Sequence, residues 1–393
     1  MQLPPLQRRI LSQLERLPTG VSELVNASLL ERSQIRLGDA VTGVLRSLRP
    51  DRSMDWDPWI VKTGDLYRLY YLRGLEGQTP WWTVSYLCGA VSDDLKHWHD
   101  LGTLLKPEPD RAWESGRICA GCTYEENGIL YLFYSAGGKQ MPDLRNEAIG
   151  LATSTDGIQW QRQLARFPLI PDAQDPWYGY CNLTQHLHWR DPYLFKDPQD
   201  GRYYMFICAS AKTPGNFQGC VGLAVSDTIA GPYQILPPVV APTPETAADW
   251  PFYHLERPQV FYKDGQYHLF FSCFRIYLNP KWLKQVNNRH ITNSTLYWYV
   301  SDSVTGPYRP RFDDESIVPG SDRIGMYGIN FLPMDDCADE FIAYGWYHRL
   351  HTLGVSPSLR ASWKNPDRLR LYSLESQQSF GVPFTGEPTR SET

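Results

Sequence analysis

Apolar and polar positions change rhythm once along this chain. Over the first fifty residues, Leu6, Ile10, Leu11, Leu14 and Leu17 recur at helical spacing, and Leu24, Val25, Leu29 and Leu30 begin a second such face beyond Pro18 and Gly20. That pattern predicts a short helical extension, residues 1–50, packed on the main body. From 51 to 380 the period shortens to that of strands, and a unit repeats. Each copy opens on a short apolar strand, crosses a Gly/Asp turn, continues into an aromatic strand and closes on a Ser-Asp turn. The turn ends in Trp98 in the first copy and in Gly-Pro-Tyr at Gly231-Pro232-Tyr233 and Gly306-Pro307-Tyr308. Unit starts near 57, 120, 191, 256 and 328 give a period of about 65 to 70 residues. Short strands with frequent turns and no long helix at that period predict an all-β fold, a five-bladed β-propeller. The closing residues, 381–393, are rich in Pro, Gly, Ser and Thr and read as a flexible tail.

Three of the units start on a carboxylate: Asp57, Asp191 and Glu256, each followed within two residues by Pro58, Pro192 or Pro258. The first strand of every propeller blade lines the central channel, so equivalent positions converge on one end of it. One Asp-Pro is usually just a turn. Three acids at blade starts are another matter, because burying carboxylates together is costly. Carboxylates flanking a bond are what glycoside cleavage needs, one to protonate the leaving oxygen and one to attack or to activate water. Glu256, with its longer reach, is the expected acid, its pKa raised by burial and by two nearby aspartates. Trp59, Trp82, Tyr253 and Tyr327 are candidates for stacking on sugar faces, with core packing as the alternative for each. Asp55 shares a strand face with Asp57 and reads as a turn or solvent residue.

Composition narrows the partners. A net charge of −5 without a basic run argues against nucleic acid. No apolar stretch approaches the roughly 18 residues of a membrane span, and no leader is evident, so the expected setting is cytoplasmic with reduced thiols. The sequons at Asn26, Asn182 and Asn293 are then chance matches. Cys119 and Cys122 form a CxxC without a second pair, and His97 and His99 read as blade-edge residues; no metal and no cofactor is expected. The expected ligand is a small carbohydrate.

Trp56-Asp57-Pro58-Trp59, Arg190-Asp191-Pro192 and Glu256-Arg257-Pro258 resemble the three signature motifs of the levansucrase and invertase families. Those are retaining five-bladed propeller enzymes acting on β-fructofuranosides such as sucrose. The likeness runs from about Met54 to Tyr308. It implies Asp57 as nucleophile, Asp191 as transition-state stabiliser and Glu256 as acid/base, with Arg190 and Arg257 contacting sugar hydroxyls or the carboxylates. Trp56, Trp59, His254 and Tyr327 complete the implied substrate site. His254 stands where levansucrases carry an acid two places before the acid/base, and their Trp-Ser-Gly element is matched only loosely by Trp113-Glu114-Ser115-Gly116. The Ser-Asp turns at Ser226 and Ser301 resemble the inverting arabinanase and β-xylosidase family, the alternative reading, in which Asp57 is a general base. A propeller that binds carbohydrate without catalysis is the second alternative.

Overall fold

Residues 54–74, 81–95, 97–286, 290–312, 317–334, 337–349, 352–365, 368–373 and 379–380 are described by the computed structural model. The helical extension expected over 1–50 and the tail expected over 381–393 lie outside the described residues.

Five antiparallel sheets follow one another along the chain, four of four strands and the last of five. Their first strands are β1 (Met54–Thr63), β5 (Arg117–Glu126), β9 (Trp189–Lys196), β13 (Glu256–Lys263) and β17 (Tyr327–Met334). Each of these five touches the next, and β17 touches β1, so the ring closes as a five-bladed propeller. Strand pairing within a sheet is sequential, which leaves the first strand innermost.

The core lies between the blades. One apolar cluster joins the first, second and fifth sheets around Trp56, Tyr70, Tyr134 and Trp346, and three others fill the remaining gaps. The middle strands of the third blade, β10 (Tyr203–Ser210) and β11 (Gly219–Ser226), are buried at every residue. Covered on both faces, they read as continuous apolar runs instead of alternating ones. A side chain such as Phe206, fully buried there, contributes about 2–3 kcal/mol.

The Ser-Asp turns are built by their own side chains. Ser154 Oγ accepts from the Gly157 N–H at 2.9 Å, and Ser226 and Ser301 Oγ accept from Thr228 and Ser303 N–H at 3.2 and 3.1 Å. The closing aromatic fastens the turn from the other side. Trp98 Nε1 donates to Leu95 O at 3.2 Å and the Tyr233 hydroxyl to Ile229 O at 2.8 Å.

Candidate active site

Every innermost strand carries an extra residue at the same place. The pairing with the second strand slips between Trp56 and Trp59, Ile118 and Gly121, Arg190 and Tyr193, Glu256 and Gln259, and Tyr327 and Asn330. Each slip is a β-bulge, a device that re-aims side chains. Its first residue is Asp57, Cys119, Asp191, Arg257 or Gly328. Four of the five adopt positive φ: Asp57 at 45°, Asp191 at 54°, Arg257 at 54° and Gly328 at 62°. Only glycine takes this conformation freely, so three strained side-chain-bearing residues here mark a place where geometry outweighs stability.

The bulge corrects the sequence alignment of the blades. Asp57 and Asp191 are equivalent, but in the fourth blade that place belongs to Arg257. Glu256 stands one residue earlier, level with Trp56, Ile118, Arg190 and Tyr327. Two tiers result. In the upper one, neighbours bond round the ring: Arg190 Nη2 donates to Glu256 Oε1 at 2.7 Å, and the Tyr327 hydroxyl donates to Glu256 Oε2. In the lower one, the Arg257 N–H donates to Asp191 Oδ2 at 3.1 Å, and the Asp191 N–H to Ser135 Oγ at 3.2 Å.

The Arg257 guanidinium is engaged by main-chain carbonyls. Buried at the channel centre, it donates through Nη2 to Pro58 O at 2.6 Å and through Nη1 to Gly121 O at 3.5 Å, tying the first two blades to the fourth. Trp59, expected to stack on sugar, is likewise part of the wall. Its Nε1 donates to Thr123 Oγ1 at 2.9 Å, with Tyr70 and the Arg257 guanidinium 5.9 and 6.0 Å from its ring. Trp56 is buried in the same cluster. Tyr327 stacks one face on Phe274, ring centroids 3.6 Å apart, which aims its hydroxyl at Glu256. Tyr253 spends its hydroxyl on Thr184 Oγ1, and Trp82 lies beside His186 and under the Arg117 guanidinium. Asp55 is neither turn nor solvent residue; it is buried and ion-paired with Arg73 at 2.9 Å.

Electrostatics also differ from expectation. Burial, opposed by Arg257 and helped by Asp191 and Glu256, pushes the Asp57 carboxyl up to about 7. Burial raises Asp191 to about 6, with Arg190 opposing and Glu256 helping. Glu256, expected to be raised, lies below the ordinary glutamate value, because His254, Arg190 and the Tyr327 hydroxyl together outweigh its burial. Burial in turn drives His254 down to about 4, so at neutral pH its imidazole is uncharged and Arg190 is the fixed cation beside Glu256. His254 Nδ1 accepts from Arg190 Nη2 at 3.1 Å, which leaves the proton on Nε2, 3.4 Å from Glu256 Oε2.

His254 is held by backbone packing against β11. A Cβ on Gly219 would lie 2.6 Å from both N and Cα of His254. Gly219→Ala is therefore expected to cost about 1–3 kcal/mol and to shift residues 253–254. Thermal unfolding and a crystal structure check this; an unmoved His254 at wild-type stability refutes it.

Glu147 and Arg117, which no motif marks, also belong to the site. Arg190 Nη1 donates to Glu147 Oε2 at 2.9 Å, and Glu147 Oε1 accepts from Arg117 Nη2 at 3.4 Å. Cys119 occupies the bulge place of the second blade, and burial pushes both its thiol and that of Cys122 up to about 12, far from a reactive thiolate. Among the described residues, no three His, Cys, Asp or Glu side chains group to hold a metal ion.

Residues 57–221, which include Asp57 and Asp191, match the glycosyl hydrolases family 32 N-terminal domain. The chain is 26% identical over 215 residues to a levansucrase of Rahnella aquatilis, covering 47% of each protein. It is 32% identical over 184 residues to a levansucrase of Erwinia amylovora, covering 39% of this chain and 41% of that one. The chain thus matches somewhat under half the length of these curated relatives. Among solved structures, Bacillus subtilis levansucrase superposes with a TM-score of 0.64 at 12% identity, over 92% of this chain and 96% of that one. An inulosucrase from Halalkalicoccus jeotgali bound to kestose gives 0.60 at 18% identity, over 87% and 92%. At such identities these two establish the fold. The class is that of five-bladed propellers, and residues 57–221 are similar to the glycosyl hydrolases family 32 N-terminal domain. Within it, over somewhat under half of its length, the chain is similar in sequence to levansucrases.

Proposed function

We propose that this protein is a retaining glycoside hydrolase or fructosyltransferase acting on β-fructofuranosides such as sucrose. The observation that carries the reading is the meeting, at one end of the channel, of Asp57 and Asp191 on their bulges with Glu256 in the tier above, electrostatically coupled to one another. In this reading Asp57 attacks the anomeric carbon while Glu256 gives its proton to the departing oxygen, so a glycosyl ester forms as the glycosidic bond breaks. Water or a sugar hydroxyl then attacks that ester, losing its proton to Glu256 and releasing Asp57. Asp191, anchored by the Arg257 N–H, accepts from hydroxyls of the bound ring as positive charge develops on it.

Between about 6 and 7 the carboxyl cluster holds one proton, which rests mainly on Asp57, and the cycle draws on the minor form in which that proton sits on Glu256 and Asp57 is ionised. Above about 7 the last proton leaves and no acid remains; below about 6 a second proton arrives and quenches the anions. kcat/KM for sucrose is therefore expected to be bell-shaped with its maximum between about 6 and 7, limbs that belong to the cluster and not to single residues. Release of glucose from sucrose, with the fructosyl product retained by early-time NMR, tests the reading. Inertness to sucrose, with cleavage of an aryl arabinofuranoside or xyloside, would replace it by the inverting alternative.

A further inference from the structure

The Arg190 guanidinium lies between two carboxylates that come from different blades, Glu147 in the second and Glu256 in the fourth. Since Glu147 also pairs with Arg117, the four side chains make a run of alternating charge, Arg117–Glu147–Arg190–Glu256. Arg117 is 2% exposed and the other three between 12 and 17%. Ion pairs this enclosed are poorly screened, so each partner feels the next.

We propose that Glu147 is a positioning residue of this site: it fixes the Arg190 guanidinium in the orientation that presents Nη2 to Glu256, and takes up enough of its charge for Glu256 to serve as an acid. The proposal rests on the reading of Glu256 as the proton donor.

Three features of the backbone support it. Glu147 opens β7 (Glu147–Ser154), and its N–H donates to Leu187 O at 3.2 Å while the Leu187 N–H donates to Arg145 O at 2.9 Å. The start of β7 is thus stitched to the segment that runs straight into Arg190. Second, the neighbouring strand of the same blade is cut away for Arg117. A Cβ on Gly137 would lie 2.5 Å from Arg117 Cζ and 2.7 Å from both terminal nitrogens, so a side chain there would push that guanidinium off its place beside Glu147. Third, Arg190 Nη2 divides its bonds between Glu256 and His254, and the grip of Glu147 on Nη1 holds the other end of the guanidinium fork.

The charges around Glu256 set the sign. Facing this run are Arg117, His186, His188, Asp191, Cys208, His254, Arg257, Cys273, Tyr277, Tyr327 and Asp57. Burial holds His186 and His254 down to about 4 and His188 well below its usual value, so the histidines are neutral at working pH. The permanent balance is Arg117, Arg190 and Arg257 against Glu147 and the three carboxylates. Removing the Glu147 charge turns Arg190 wholly onto Glu256 and Asp191, and the cluster then loses its protons at lower pH.

Glu147→Gln tests this, because the amide still offers Arg190 an oxygen while the charge is gone. Both limbs of the kcat/KM profile on sucrose are expected to move down by about one pH unit, a roughly tenfold loss on the alkaline side. A uniform fall at every pH with limbs unmoved is what a purely structural role gives, and it overturns the proposal. If the glutamine variant does not fold, Glu147→Asp keeps the charge but withdraws it from Arg190 by one methylene; a smaller shift in the same sense supports the proposal and unmoved limbs overturn it. Infrared titration of the Glu256 carboxyl, identified by subtraction of Glu256→Gln, reads the same displacement without turnover. A shifted band in a protein inert to fructosides keeps the role of Glu147 and refutes the proposed function. Normal fructosyl turnover with band and limbs unmoved does the reverse.

Discussion

Asp57→Asn is expected to abolish turnover of sucrose and, at the same time, to make the fold more stable above pH 7. The first effect follows from its place. Asp57 lies on a bulge with its φ at 45°, where its carboxyl feels the charges of Arg257, Asp191 and Glu256. A fluorinated fructosyl donor with a good leaving group should leave an adduct on Asp57 in the wild type and none in the variant, read by mass spectrometry of the peptide. The second effect is a matter of sign. The carboxyl is raised from 3.8 to about 7 in the folded state, so its contribution is intact below pH 4 and is lost as pH rises through 7. Above that, the wild type holds an anion that the unfolded chain would carry more cheaply. Each pKa unit is worth about 1.4 kcal/mol, and with solvent reaching the channel mouth the net penalty is of the order of 2 kcal/mol. Unfolding midpoints of the two proteins should therefore coincide near pH 4 and diverge towards pH 8, the variant melting higher. A variant that melts lower at pH 8, or that still forms the adduct, removes Asp57 from its role.

The propeller is legible in the chain because each blade repeats the same local chemistry: an apolar innermost strand, a Gly/Asp turn and a serine-capped closing turn. The blade starts are legible for the same reason. Register within the start is harder, and the three acids illustrate why. Counting carboxylates aligns Asp57, Asp191 and Glu256; aligning Pro58, Pro192 and Pro258 instead puts Arg257 beside the two aspartates, as the bulges do. The proline alignment carries the geometry because proline follows the left-handed residue of the bulge. Asp55 misleads because the alternation of faces is interrupted at Asp57 by that same conformation. Glu147 and Arg117 could not have been picked out. They are two charged residues among many, and their roles arise only where the second and third blades meet. The proton distribution is equally hidden, since burial pushes all three carboxyls up and only the His254, Arg190 and Tyr327 contacts bring Glu256 back down.

Replacing Glu256 by Gln should separate its chemistry from its structural contacts. The amide keeps an oxygen for Arg190 and can still meet the Tyr327 hydroxyl, and Arg190 retains Glu147, so the variant should fold with the upper tier of the ring in place. What it loses is the proton. On sucrose, whose leaving oxygen is a poor one, cleavage should slow by roughly 10²- to 10⁴-fold, the usual span for a missing general acid. On an aryl β-fructofuranoside the departing phenolate needs little help, and the first step should proceed near the wild-type rate. The second step still needs a base to activate water, so the glycosyl ester on Asp57 should accumulate and give a burst of phenol followed by a slow phase. Added azide, a nucleophile that needs no deprotonation, should restore the slow phase and yield a fructosyl azide of retained configuration. The burst distinguishes loss of an acid/base from general damage, which would depress the first step on both substrates alike. If Glu256→Gln cleaves sucrose and the aryl fructoside both at wild-type rates, the proton comes from elsewhere, and the convergence of Glu256 with the two aspartates has another purpose.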